Sequence, residues 1–173
     1  FANAGLLGID PARIGVMGES AGGGLAAALA LLARARGAYR LAFQHLLYPM
    51  IDDRTGVAEG DPLTGEFIWN RESNRFGWQA MLGQAPGGEG VSPYAAAARA
   101  ESLAGLPPTY IATGSLDLFR DENIAYAQRL LAAGVPTEFH IWPGAIHGFD
   151  GAPDAAITRE ANQSRIAALR RVV

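Results

Sequence analysis

The sequence predicts an α/β fold, a parallel sheet covered by helices on both faces. Three observations point to it. Short apolar runs suited to buried strands alternate with helix-forming stretches along the chain. The chain has 173 residues, 49% of them hydrophobic, enough for one globular domain with a sizeable core. No internal repeat, low-complexity tract or internal domain boundary interrupts the pattern.

The elements are read in order. Residues 1–8 look like the tail of a helix, and no initiator methionine precedes them. The expectation is that residues 1–173 are part of a longer chain. Residues 9–13 form a turn in which Pro11 stops that helix. Ile14, Val16 and Met17 make a strand buried on both faces. The Ala- and Leu-rich run 26–32 is a strong helix former, and its helix ends near Gly37. It is apolar nearly all round, so it is expected to be buried centrally. Residues 41–48 read as a second buried strand closed by Pro49. A long irregular excursion follows over residues 51–106, starting with Asp52, Asp53 and Arg54. It concentrates Phe67, Trp69, Phe76 and Trp78, and Ser73 is expected to cap a short helix ending at Gly83. Such an excursion past a strand end walls a pocket or is ordinary loop core, and both readings stand here.

Pro107 and Pro108 introduce a third strand, 109–113, which breaks at Gly114. Asp121 and Glu122 open the next helix, where acidic groups suit the helix dipole. Ile124, Ala127 and Leu131 are its expected inner face, and Gly134 ends it. Residues 137–142 are a fourth strand, followed by the loop 143–149. Asp154 is expected to cap a final amphipathic helix with Ile157, Ala161, Ala168 and Val172 inward.

Composition excludes several classes of function. The net charge is −3 with no basic stripe, so a nucleic-acid partner is not expected. Every basic residue is arginine, a bias to which no function attaches. With no cysteine, disulfides and thiolate metal sites are impossible. No His or acidic cluster has metal-ligand spacing, and no cofactor is called for. No apolar stretch is long and clean enough to span a membrane; Leu25 to Leu32 runs straight into Arg34 and Arg36. No signal peptide is visible, and a cytoplasmic location is the expectation, although a missing start would hide a leader.

The chemistry centres on Gly18-Glu19-Ser20-Ala21-Gly22, a G-x-S-x-G motif set between a strand and a helix. A turn this tight drives the serine into a strained backbone conformation and demands small neighbours, hence Gly18, Gly22 and Gly23. Ser20 then projects above the sheet at the positive end of the following helix. The backbone N–H of Ala21 points the same way and can meet a developing oxyanion. The alternative is a plain Gly-rich turn that binds a phosphate or nothing.

In a parallel sheet, active groups collect at the C-terminal strand ends. Ser20, Asp117 and His147 follow the first, third and fourth strands. A hydroxyl needs a base, imidazole titrates near neutrality, and an anion fixes the tautomer of that base. His45 and His140 fall within strands, while His147 lies in a Gly-flanked loop free to swing toward Ser20. For the acid, Asp117 competes with Asp121 and Glu122, which sit in the first turn of a helix and read as a dipole and capping pair. Glu19 reads as a supporting or solvent-facing carboxylate.

Three stretches, GIDPARIGVMGESAGGGLAAALA, GSLDLFRDENIAYAQRLLAAGVP and PGAIHGF, resemble the C-terminal part of a hormone-sensitive-lipase-like α/β-hydrolase, the bacterial carboxylesterase group. The resemblance covers almost the whole chain. It implies an α/β-hydrolase fold of which only the last four strands, as a contiguous half, are present. It makes Ser20 the nucleophile, Asp117 the acid and His147 the base. It also implies short- to medium-chain acyl esters as substrates and a homodimer formed through the last strand and helix. Glu19 and Gly24 stand where many relatives have Asp and Asn. The HGGG motif of the family, which supplies the other oxyanion donors, is absent, as are the early strands and the N-terminal cap helices. The first strand would then present an unpaired edge. Two other readings accompany the esterase: a ligand-binding protein on the same scaffold, as in the gibberellin receptors that have lost the histidine, and an inactive truncated fragment.

Overall fold

The computed structural model describes residues 1–172. Among them are four parallel strands in the order β1-β2-β3-β4: β1 Val16–Glu19, β2 Gln44–Leu47, β3 Thr109–Gly114 and β4 Thr137–Trp142. The helices are α1 Ala4–Leu7, α2 Ser20–Arg36, α3 Arg71–Leu82, α4 Arg120–Ala132 and α5 Ala156–Arg170. Each strand pairs with the next in sequence, so each crossover carries helical chain across the sheet. The main core lies between the sheet and α2 and α4, with Ala27, Leu31, Leu46, Ile111, Tyr126 and Leu130 at its centre. The opposite face packs Leu47, Tyr48, Tyr110 and Ala112 against Ala168 of α5.

Several elements differ from their expectations, each for a local reason. β1 is not buried on both faces; it pairs only with β2, and Met17 is 55% exposed. α2 is buried along its Ala face, but Leu25 and Leu29, one turn apart, lie exposed together. β2 is shorter than the apolar run, since Tyr48 takes a left-handed φ of 34° and leaves the strand. β3 extends through Gly114. The first helix stops at Gly8, whose φ of 65° makes it a left-handed cap, before Pro11 begins a 3-10 turn. α3 is capped by Asn70, whose side chain accepts the Ser73 N–H at 2.9 Å, so Ser73 is the receiver of the cap. In α4 the buried face holds Glu122, Asn123, Tyr126, Ala127 and Leu130, while Leu131 is 56% exposed. Asp154 makes no side-chain cap on α5; Arg159 bonds its carbonyl instead. Thr158, Ala161 and Ala168 are buried there, and Ile157 and Val172 only half-buried.

No helix among the described residues is long and apolar enough to cross a membrane.

Candidate active site

The site is assembled where β1, β3 and β4 end. Ser20 is the first residue of α2 and has a φ of 53°, a conformation costing a non-glycine residue on the order of 1–3 kcal/mol. The turn closes so tightly that a Cβ on Gly18 would collide with the backbone of Gly22 and Gly23. A Cβ on Gly22 itself would meet nothing within 4 Å, so packing among the described residues does not account for that glycine. Ala21 lies in the first turn of α2, where backbone N–H groups lack a partner within the helix, and no side chain caps this end. The positive pole of a helix therefore stands open beside Ser20.

The imidazole of His147 joins the other two groups. Its Nε2 lies 2.9 Å from Ser20 Oγ, and its Nδ1 lies 2.9 Å from Asp117 Oδ2. A carboxylate only accepts, so Nδ1 carries the proton and Nε2 is left to accept from the serine hydroxyl. Asp117 is fully buried, and its Oδ1 accepts the Phe119 N–H at 2.9 Å. His147 is buried, and Ser20 is half-buried. Each side chain comes from a different strand end, and parallel register brings those ends to one edge of the sheet.

The structure brings together the three residues singled out at the strand ends and separates their competitors from them. Asp121 points to solvent and pairs with Arg120 at 2.7 Å. Glu122 turns inward, where its Oε1 accepts the N–H groups of Ile51 at 2.7 Å and Asp52 at 3.2 Å. Burial pushes its carboxyl well above the usual glutamate range, against the pull of those donors. It is no exposed dipole partner, contrary to expectation. Glu19 pairs with Arg165 at 3.3 Å on the surface. His45 is buried against the Tyr110 ring, and desolvation lowers its pKa to about 4. His140 bonds Glu138 at 2.8 Å, on the β4 side.

Sequence reasoning missed the groups that frame the imidazole. The edges of the Tyr48 and Phe119 rings meet it, with centroids at 4.8 and 5.1 Å, and Trp69 stands 6.5 Å away. Tyr48 is tied down by a 2.5 Å hydrogen bond from its hydroxyl to Asp150, which lies 3.6 Å from Arg165. Trp69 places the long excursion beside the site and favours the reading of that segment as a wall. Its indole N–H donates to Asn74 Oδ1 at 3.0 Å, which fixes the ring. Only the concentration of aromatics in the excursion signalled this. Among the described residues, no group of three or more His, Asp or Glu could hold a metal ion.

A strand-to-helix serine turn, with Asp and His from later strand ends, defines a class. Residues 1–151 match a family described as having the alpha/beta hydrolase fold. The chain belongs to this family, in its hormone-sensitive-lipase-like branch. Among curated proteins it is similar to Esterase LipI of Mycobacterium tuberculosis, with 36% identity over 96% of this chain and 52% of the relative. It is equally similar to Carboxylesterase NlhH of that organism, 36% identical over 99% of this chain and 54% of the relative. Among solved structures, a bacterial heroin esterase superposes with a TM-score of 0.90 at 42% identity, covering 98% of this chain and 55% of its own. An esterase of the bacterial hormone-sensitive lipase family superposes with a TM-score of 0.83 at 29% identity, covering 98% and 56%. The chain thus spans about half the length of the relatives it matches.

Proposed function

We propose that this chain carries the nucleophile, acid and base of a serine carboxylic-ester hydrolase acting on short- to medium-chain acyl esters. The observation that supports it best is the pair of 2.9 Å contacts linking Ser20, His147 and Asp117. In this reading Ser20 Oγ attacks the ester carbonyl while His147 Nε2 takes its proton. The Ala21 N–H and the start of α2 stabilise the oxyanion. His147 then passes the proton to the leaving alcohol, and an acyl-enzyme remains on Ser20. Water, activated by the same imidazole, releases the acid. Asp117 holds the tautomer and balances the imidazolium throughout.

The chain is further proposed to be the C-terminal part of a single hydrolase domain, since its relatives are about twice its length. The other oxyanion donors and the cap would lie in the rest of that domain. Losing one such donor costs about a hundred- to a thousandfold in turnover, so residues 1–173 alone are expected to be close to inactive.

Intact-mass spectrometry with a fluorophosphonate tests the reading. One adduct on Ser20 in the complete protein is the expected result, and no adduct there would sink it. In that protein, Ser20→Ala or His147→Ala should lower kcat by about a millionfold, and Asp117→Asn by less but still heavily. A damaging Asp121→Asn beside a mild Asp117→Asn would overturn the choice of acid.

A further inference from the structure

Ser20 occupies a left-handed backbone conformation that a serine does not hold unaided. Part of what holds it comes from the segment after β2. The Met50 N–H donates to the Ser20 carbonyl at 3.0 Å. Gly24, one turn along α2, lies so close to the Met50 carbonyl that a Cβ there has no room. Residues 49–52 are themselves irregular backbone and have no ladder to fix them.

They are fixed from the far side, by the first turn of α4. Glu122 Oε1 accepts both the Ile51 and Asp52 N–H groups, and Asn123 Nδ2 donates to the Pro49 carbonyl at 2.8 Å. Both side chains are buried. Burying a carboxyl is costly, and Asn123 Oδ1 has no hydrogen-bond partner among the described residues. An apolar pair would fill the same space without that cost, but it would leave the segment's Ile51 N–H and Pro49 carbonyl unsatisfied. The same helix start also carries the acid, since the Arg120 N–H bonds the Asp117 carbonyl at 3.1 Å. One helix end therefore registers Asp117 directly and Ser20 through residues 49–52.

We propose that Glu122 and Asn123 are positioning residues for the nucleophile: they clamp residues 49–52 so that the Met50 N–H holds Ser20 with its Oγ at the imidazole. The proposal rests on the serine-hydrolase reading above.

The test uses the complete protein that carries this chain, with kcat, KM and the limiting rate of fluorophosphonate labelling normalised to folded protein by circular dichroism. Glu122→Ala and Asn123→Ala should each lower kcat and the labelling rate about ten- to a hundredfold with KM little changed, the size expected from a small misplacement of a reacting atom. Glu122→Gln keeps a carbonyl oxygen to accept the two N–H groups and should restore most of the rate. Leu130→Ala, two turns along the same helix in the main core and making none of the clamp's or the site's hydrogen bonds, should lower the melting temperature and leave kcat per folded molecule unchanged. If Glu122→Ala does not fold, Asn123→Ala carries the same test. Wild-type kcat in the Ala variants, a Gln variant as impaired as the Ala variant, or an equal kcat loss in Leu130→Ala would each overturn the proposal. Ser20→Ala run alongside separates the two levels: if it still turns over and labels, the hydrolase reading itself has failed.

Discussion

Two neighbouring acids show how little of a residue's role its type reveals. Asp121 and Glu122 both open α4, and both fit a helix dipole on paper. One points to solvent beside Arg120, while the other is buried against the backbone of residues 51 and 52. Glu122 has its pKa raised by burial, so the folded state holds its proton more tightly than the unfolded state. Stability should therefore fall as pH rises from the usual glutamate value through the raised one, and Glu122→Gln should flatten that part of a urea-melt series against pH. His45 has the opposite sign of slope. Its folded pKa is about 4 against an ordinary 6.5, so the folded state refuses a proton that the unfolded chain accepts. Stability is complete above about pH 6.5 and is lost as pH falls toward 4, by up to about 3 kcal/mol. His45→Phe keeps a ring against Tyr110 and should remove that acid sensitivity in the same series.

At the scale of elements, termini decide more than lengths. α2 begins at Ser20 without a side-chain cap, which leaves its N–H groups available to an anion. α3 is capped by Asn70, and Asn70→Ala should cost about 1 kcal/mol in a thermal or urea melt. Because α3 carries Asn74, which holds the Trp69 ring, the same change should loosen the wall of the site before it unfolds the sheet. The loop with His147 is anchored by a contact no local pattern announces. Asp150 accepts from Tyr48, a residue 102 positions earlier, and the Tyr48 ring edge then meets the imidazole.

For the whole molecule, the sheet has two edge strands among the described residues, β1 and β4. β2 and β3 are paired on both edges, whereas β1 pairs only with β2. Near it, Met17, Leu25 and Leu29 lie exposed, as do Leu6 and Leu7 at the start of the chain. Apolar groups beside an unpaired strand edge favour association. Residues 1–173 alone should scatter light in a concentration-dependent way. Leu25→Glu with Leu29→Lys, an i,i+4 ion pair on α2, should reduce that scattering without lowering helix content.

The strand–helix alternation and the parallel sheet were legible because each rests on local hydrophobic pattern and chain direction. The candidates Ser20, Asp117 and His147 were legible for the same reason: each lies at or within a few residues past the end of a strand, and parallel strands put such positions at one edge. Sequence did not reveal which faces of α2 and α4 are covered, where β2 stops, or that Glu122 turns inward. Those depend on which distant segment arrives to exclude water or to offer a hydrogen bond, and spacing along the chain carries no record of it. The rings around His147 and the clamp on residues 49–52 join residues from 28 to 102 positions apart. Only tertiary packing could bring them into contact, because their energy comes from burial that no single element achieves alone.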